Sequence, residues 1–419
     1  MNSPIWHPFT QHGLREPIPL VSHAEGAAFY TADGRRIIDA ISSWWVTTHG
    51  NCNPRIMAAI AGQTRKLDQI IFAGWTHEPA EALAAELMAI LPPPLAYAFF
   101  SDSGSTSVEV ALKMALGYWR NRGEPRHRII VMQGSYHGDT IGAMSVGARG
   151  VFNAAYAPLL FDVATVPFPE RGSEQATLDG LAGLCEAGER PAAFIVEPLI
   201  LGAGGMRIYS AAVLAEMRTI CAAHDVLFIA DEVMTGWGRT GTLLACEQAG
   251  IVPDILCLSK GLTGGALPLA VTVATAAIYD AHFSKDRSRQ FFHSSSYTAN
   301  PIACAAALEN LAIWRDEPVL ERIGELTRRQ SARLEWLKGV AAVRNSRQIG
   351  TIAAFEVADR SSGYLSDLAP RLLEFFGSRD ILLRPLGDTI YVMPPYCTSE
   401  QDLDRIYEAI VEAVDECSP

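Results

Sequence analysis

Short apolar runs alternate with amphipathic stretches through the middle of the chain. Six runs read as strands: Tyr97–Ser101, Arg128–Gln133, Ala193–Glu197, Val226–Ala230, Ile255–Ser259 and Leu269–Ala274. They are apolar at nearly every position rather than at alternate ones, as expected of strands covered on both faces. After the first of them, Val108, Ala111, Leu112, Ala115, Leu116 and Trp119 recur at helical spacing and mark one buried face. Such strands, joined by connections of about twenty residues or more, predict an α/β fold with a mostly parallel sheet between helices.

The two ends follow another pattern. Gly34-Arg35-Arg36 lies between two apolar runs and reads as a hairpin-like turn. Towards the C-terminus, Leu320–Val340 reads as a long charged helix, Ile352–Val357 and Ile390–Met393 as strands, and Ser399–Glu416 as a closing helix. The expectation is a large domain over 51–305 and a smaller α+β domain built from both chain ends, 1–50 and 306–419. No internal repeat, low-complexity tract or long linker interrupts this order.

Composition narrows the functional classes. At 419 residues and 49% hydrophobic content the chain can bury a large core across two or three packed units. A formal net charge of −12 opposes binding to nucleic acid or to an anionic membrane, while leaving small anions within reach of local donors. The eight cysteines form no CxxC pair and several lie in apolar runs, so they read as buried free thiols of a reducing compartment. The start, Met1-Asn2-Ser3-Pro4-Ile5-Trp6, does not read as a signal peptide, and no run of about twenty apolar residues suggests a membrane span. A cytoplasmic location is expected.

Two consecutive strands end in charged residues: Val226–Ala230 runs into Asp231-Glu232, and Ile255–Ser259 runs into Lys260. Either alone is unremarked, since strands often end in a charge at solvent. Together, an acid and a lysine at the carboxyl ends of adjacent parallel strands point into the crevice where open α/β sheets bind ligands. Pyridoxal phosphate needs that pair: a lysine for its aldehyde and a carboxylate to keep its pyridine nitrogen protonated. A phosphate seat is also visible, because Ser101-Asp102-Ser103-Gly104-Ser105-Thr106 leads into a helix expected to begin near Ser107, with Thr106-Ser107-Val108-Glu109 fitting a capping box. Gly236-Trp237-Gly238-Arg239-Thr240-Gly241 matches the dinucleotide fingerprint GxGxxG, but no strongly amphipathic helix opens on it. Gly261-Leu262-Thr263-Gly264-Gly265 lacks the Gly-Lys-Ser/Thr of a P-loop, and His137 has no metal-ligand partner at suitable spacing.

Taken together, Ser103-Gly104-Ser105, Tyr136-His137-Gly138-Asp139-Thr140, Ala230-Asp231-Glu232-Val233, Thr235 to Gly241 and Ser259-Lys260-Gly261 resemble the class-III, fold-type I aminotransferases over essentially the whole chain. The resemblance implies pyridoxal 5'-phosphate as cofactor, with Lys260 as Schiff-base lysine and proton shuttle and Asp231 on the pyridine nitrogen. It further implies Tyr136 stacked on the ring, Gly104 and Ser105 on the phosphate, and a homodimer in which Ser296 reaches the phosphate of the other subunit.

Within that class the end regions are similar to the diaminopelargonate synthases: Trp6-His7-Pro8, Ser42-Ser43-Trp44-Trp45, and Arg384-Pro385-Leu386-Gly387 before Tyr391. This likeness implies a keto-acid acceptor in biotin biosynthesis, with Phe9, Trp44, Tyr136, Ser294, Arg384 and Tyr391 around the substrate. Arg384 is the carboxylate grip and Trp44 the aromatic wall; read as a strand, Trp44-Trp45 would turn only one indole inward. Ala203 stands where glutamate-using relatives carry a switch glutamate, which disfavours that donor. Phe9 stands, as in lysine-using relatives, where S-adenosylmethionine users generally have a tyrosine, but those relatives tend not to keep the first tryptophan of the Trp44-Trp45 pair; the donor is expected to be S-adenosylmethionine, with lysine as alternative. The rival readings are a broad ω-aminotransferase using pyruvate, a non-catalytic pyridoxal-phosphate-binding protein, and a nicotinamide oxidoreductase.

Overall fold

Seven strands form the central sheet in the computed structural model, which describes residues 3–357 and 368–417. They are β1 (Leu95–Ser101), β2 (Ile129–Met132), β3 (Ala164–Val166), β4 (Ala193–Val196), β5 (Leu227–Asp231), β6 (Ile255–Leu258) and β7 (Ala270–Thr275). Their order is β1-β7-β6-β5-β4-β2-β3, with every pair parallel except those of β7, which runs against both β1 and β6. Every residue of β2, β4, β5, β6 and β7 is buried, which is why these strands read as unbroken apolar runs. Each large side chain so covered, such as Phe194 and Phe228 meeting edge to face at 5.7 Å, contributes about 1.5–3 kcal/mol relative to exposure. The sequence pattern missed β3, an edge strand of three residues with an exposed Thr165.

The helix after β1 spans Gly104–Asn121 and starts three residues before its expected position near Ser107. Its N-cap is Ser103, whose hydroxyl accepts the Thr106 N–H at 3.2 Å while the Thr106 hydroxyl accepts the Ser103 N–H at 2.9 Å. The expected box at Thr106-Ser107-Val108-Glu109 is therefore corrected: Thr106 is its third helical position, and Glu109 instead accepts the N–H groups of Gly142 and Ala143.

A second core gathers the chain ends. Ile38 and Ile41 pack with Ile352, Phe355, Ile381, Ile390 and Tyr407, and Ile381-Leu382 pairs in parallel with Ile38-Asp39. The hairpin expected at Gly34 joins strands Ala28–Thr31 and Arg36–Asp39. Helix Pro301–Asp316 serves both cores, placing Ala303, Cys304 and Ala307 in the large one and Ala306 and Ile313 in the small one; the boundary expected at 305–306 falls inside it. Cys185, Cys221, Cys246, Cys257 and Cys304 are buried free thiols, whereas Cys52 and Cys397 lie in turns and are exposed, correcting the uniform expectation. Among the described residues no helix is long and apolar enough to cross a membrane, and no cluster of His, Cys, Asp or Glu could hold a metal ion.

Candidate active site

Parallel pairing delivers the acid and the lysine to one place. Asp231 ends β5 opposite Cys257 of β6, and Lys260 follows β6 after a single intervening residue. With the N-terminus of helix Gly104–Asn121 they border a cavity of about 670 Å³, a size that suits a cofactor with its substrate. Phe9, Trp44, Gly104, Ser105, Tyr136, Asp231, Lys260, Arg384 and Tyr391 all line it, so nine of the positions expected from the sequence converge.

Lys260 is held unusually. Its backbone has φ +48°, a left-handed conformation that costs a residue with a side chain about 1–2 kcal/mol and that tends to persist at functional sites. Its Nζ lies 4.7 Å from the centre of the Trp45 ring. Burial lowers its pKa to about 8, against the opposing pull of Asp231 and Glu197, which favour the charged form. Only the neutral amine attacks an aldehyde. The rate at which the cofactor-free protein captures pyridoxal phosphate is therefore expected to rise about tenfold for each pH unit below 8 and to level off above it. Stopped-flow absorbance across pH 6 to 10 checks this; a rate still climbing tenfold per unit up to pH 10, as the ordinary lysine value of 10.5 requires, would contradict the burial argument.

Asp231 is oriented from both sides. One carboxylate oxygen lies 2.7 Å from His137 Nδ1, and the other accepts the Val233 N–H at 3.1 Å. His137 is buried, and its Nε2 has no hydrogen-bond partner among the described residues. Glu197 stands nearby, accepting the Tyr136 and Gly202 N–H groups at 2.9 Å each. Burial first, and then the charge of Asp231, raise its pKa to about 7. Neither His137 nor Glu197 was expected as a site residue: the partner of His137 is 94 residues away, and Glu197 reads only as the last residue of the expected strand Ala193–Glu197.

Glycines let the remaining walls close. A Cβ on Gly138 would collide with Ser105, and one on Gly104 would come within 2.6 Å of Val233. Ser105 Oγ accepts the Asp139 N–H at 3.1 Å, which ties the Tyr136 loop to the helix N-terminus. The first N–H groups of that helix, those of Gly104 and Ser105, have no acceptor within the helix and are free to meet an anion. The Tyr136 hydroxyl is pushed well above its ordinary pKa by burial and by Asp139, so the ring stays a neutral phenol.

At the mouth, Phe9 (φ +50°) sets its ring 5.6 Å from Trp44 and 6.1 Å from Phe152. Arg384 donates to the Phe9 carbonyl at 3.4 Å with its guanidinium 6.0 Å from the Trp44 ring, and among the described residues no carboxylate pairs with it. The strand expectation for Trp44-Trp45 is corrected. Ser42, Ser43 and Trp45 all have positive φ, the Asp39 carboxylate accepts the Ser43 N–H at 2.8 Å, and both indoles reach the cavity. Trp45 Nε1 donates to the Tyr391 hydroxyl at 2.8 Å, so Tyr391 fixes an indole as well as lining the site. Ser294 and Ser296 are exposed and lie outside this chain's own cavity.

The glycine motif at 236–241 serves packing. A Cβ on Gly238 would collide with Ile323, and buried Arg239 donates to the carbonyls of Thr47 and Pro394. Glu232 is turned away from the cavity, accepting the N–H groups of Ala245 and Cys246 and the Thr235 hydroxyl. Lys260, Asp231 and the free helix N-terminus thus fit an aldehyde, a ring nitrogen and a phosphate respectively.

A depressed lysine, an oriented carboxylate and an anion seat at the carboxyl edge of a largely parallel sheet define a transaminase site, and the chain belongs to the class-III aminotransferases, whose family model matches residues 10–414. It is 47% identical, over 98% of each chain, to the adenosylmethionine-8-amino-7-oxononanoate aminotransferase of Synechococcus elongatus. It is 37% identical to that of Geobacter sulfurreducens over 98% of this chain and 95% of the relative. The crystal structure of the enzyme of that name from Methanocaldococcus jannaschii superposes with a TM-score of 0.95 at 33% identity, covering 99% of this chain and 98% of that one. The fold is fold-type I, with a smaller α+β unit built from both ends.

Proposed function

We propose that the protein transfers an amino group from S-adenosylmethionine to 8-amino-7-oxononanoate (7-keto-8-aminopelargonate), forming 7,8-diaminopelargonate in biotin biosynthesis. The observation that carries this reading is Arg384, a cationic fork without an acidic partner among the described residues, set against Trp44 and Phe9 at the mouth of the cavity. A long apolar chain ending in a carboxylate matches an aromatic wall that ends in a guanidinium. Ala203 lines the cavity where glutamate users need a carboxylate, so the wall there stays apolar.

Pyridoxal phosphate, when bound, supplies an electron sink for the carbon that carries the amine. Lys260 would hold it covalently, Asp231 would keep its ring nitrogen protonated, and Tyr136 would cover its face. Gly104 and Ser105 meet the phosphate together with Ser296 of the partner subunit, in a homodimer in which Ser294 also faces the other copy's substrate. Lys260 Nζ would also be the base that takes the proton from the substrate carbon and the acid that gives it back. The setting of this chemistry is cytoplasmic.

Purified enzyme given each donor separately, with diaminopelargonate quantified, tests the reading. Product with S-adenosylmethionine is expected. Product with lysine alone would reassign the donor, an outcome that the missing hydroxyl at Phe9 favours, and no product with any donor would sink the acceptor. Arg384→Met is expected to raise KM for the keto acid roughly 10–100-fold with little change in kcat, because a charge-assisted contact of about 1.5–3 kcal/mol is lost. Steady-state kinetics over keto-acid concentration measure it, and an unchanged KM would remove Arg384 from the carboxylate site.

A further inference from the structure

One wall of the cavity is held by a residue outside the lining. The wall is the tip of a two-stranded hairpin, Ile200–Leu201 with Arg207–Ile208, whose Ala203 and Gly204 face the cavity. The tip has little freedom on its inner side. A Cβ on Gly204 would strike the Gly134 carbonyl, and one on Gly202 would come within 2.5 Å of Met234 Sδ and 3.3 Å of the Trp45 ring. The Gly202 N–H is bound to Glu197 at 2.9 Å. Met206 in the tip and Leu199 at the base of the hairpin have positive φ, a conformation unfavourable for residues with side chains and kept in place by the surroundings.

On the outer side stands Arg347, from strand Val343–Ile349 of the smaller unit, about 140 residues along the chain. Its Nε donates to the Met206 carbonyl at 2.8 Å and its Nη2 to the Gly205 carbonyl at 2.6 Å. Its Nη1 pairs with Glu356 at 2.9 Å on the neighbouring strand Ile352–Val357 and also donates to the Asn345 carbonyl at 2.6 Å. The Arg347 side chain is 15% exposed, so these bonds lie where water competes weakly. A planar fork that spans two successive carbonyls fixes direction as well as distance, which a lysine cannot reproduce.

We propose that Arg347 is a positioning residue that sets the cavity wall at Ala203–Gly204, and with it the length and shape of keto acid the enzyme accepts. This rests on the proposed acceptor, 8-amino-7-oxononanoate. Arg347 touches neither cofactor nor the reacting carbon; it acts through the hairpin tip. The tip is wedged between Gly134 and Glu197 on one side and the guanidinium on the other, so loss of the fork releases the wall outward while Lys260 and Asp231 stay on the sheet.

The test is steady-state kinetics of holoenzyme carrying Arg347→Lys, which keeps the charge opposite Glu356 but cannot bridge both carbonyls. KM for the keto acid is expected to rise roughly tenfold. The kcat at saturation should stay within about twofold. Glu356→Gln removes the ion pair and leaves both carbonyl bonds, so it should lower the melting temperature with KM near wild type. If Arg347→Lys lowers the melting temperature while KM stays unchanged, Arg347 is only a structural tie and the proposal falls. If that variant does not fold, Gly205→Ala decides: its Cβ has room but its φ of +95° does not suit alanine, so it disturbs the tip directly. An unchanged KM there also overturns the proposal. Wild-type enzyme that ignores 8-amino-7-oxononanoate but aminates another acceptor would refute the substrate reading alone, and the same comparison then runs on that acceptor.

Discussion

Lys260→Ala is expected to fold, to bind pyridoxal phosphate only without a covalent link, and to lose at least ~10⁴-fold of its turnover. Two functions end at one atom. Among the described residues Nζ is the only lysine amine that lines the cavity, and in the proposed function it is both the attachment point and the base that moves the substrate proton. Turnover in single-cycle mixing and the visible absorbance of the bound cofactor measure the two losses separately. A variant that kept a near wild-type rate would show that the proton moves through another group.

The same substitution has a stability signature. The folded pKa of Lys260 is lowered to about 8 from an ordinary 10.5, so the native protein binds fewer protons than the unfolded chain between those values. Stability of the cofactor-free protein should therefore climb as pH rises from about 8 to about 10.5, by about 3 kcal/mol if the whole shift is expressed. Below pH 8 the cost of burying the charged amine is present in full. Lys260→Ala removes that rise. Denaturant midpoints of both proteins at pH 7.5 and 10 check it, and parallel curves would contradict the assignment.

Asp231→Asn is expected to lower kcat on the order of 10²–10³-fold, with the cofactor still covalently bound. Asparagine keeps the shape and can still meet His137, now 2.7 Å away, but it carries no charge to hold a proton on the ring nitrogen. The acid also acts on the lysine. Because Asp231 raises the pKa of Lys260 in the native site, its neutralisation should move the midpoint of cofactor capture to lower pH. A variant with slow turnover and an unmoved midpoint would mean that the two groups are not coupled through the cavity, while unchanged turnover would remove Asp231 from the chemistry altogether.

Five of the seven central strands could be read from the chain because a strand buried on both faces must be apolar at every position, whatever packs on it, and β1 was legible too although Ala96 and Tyr97 are exposed. Lys260 and Asp231 could be read because a charge that ends such a strand stands out against it. The missed parts depend on distance. His137 orients Asp231 across 94 residues, and Arg347 braces Gly205 across 142, so no local pattern announces either. The Trp44-Trp45 expectation fails because alternation of side chains presumes extended backbone, whereas both Asp39 carboxylate oxygens accept the Ser43 N–H and the segment turns left-handed. The helix start was misplaced because Ser103 and Thr106 both satisfy capping rules, and only the folded backbone chooses between them.

The sequence by itself determined the layered α/β architecture, the pairing of a lysine with an acid at adjacent strand ends, and the residue types an anion seat needs. These follow from solvent exclusion and covalent order, which act along the chain. The tertiary structure decided which acid faces the cavity, sending Asp231 in and turning Glu232 onto the N–H groups of Ala245 and Cys246. It also decided that both indoles line the site, that burial brings Lys260 to about 8, and that the smaller unit braces the wall at Ala203–Gly204. Those outcomes depend on desolvation and on hydrogen bonds between distant segments, whose strength is set only when the surrounding surfaces have closed.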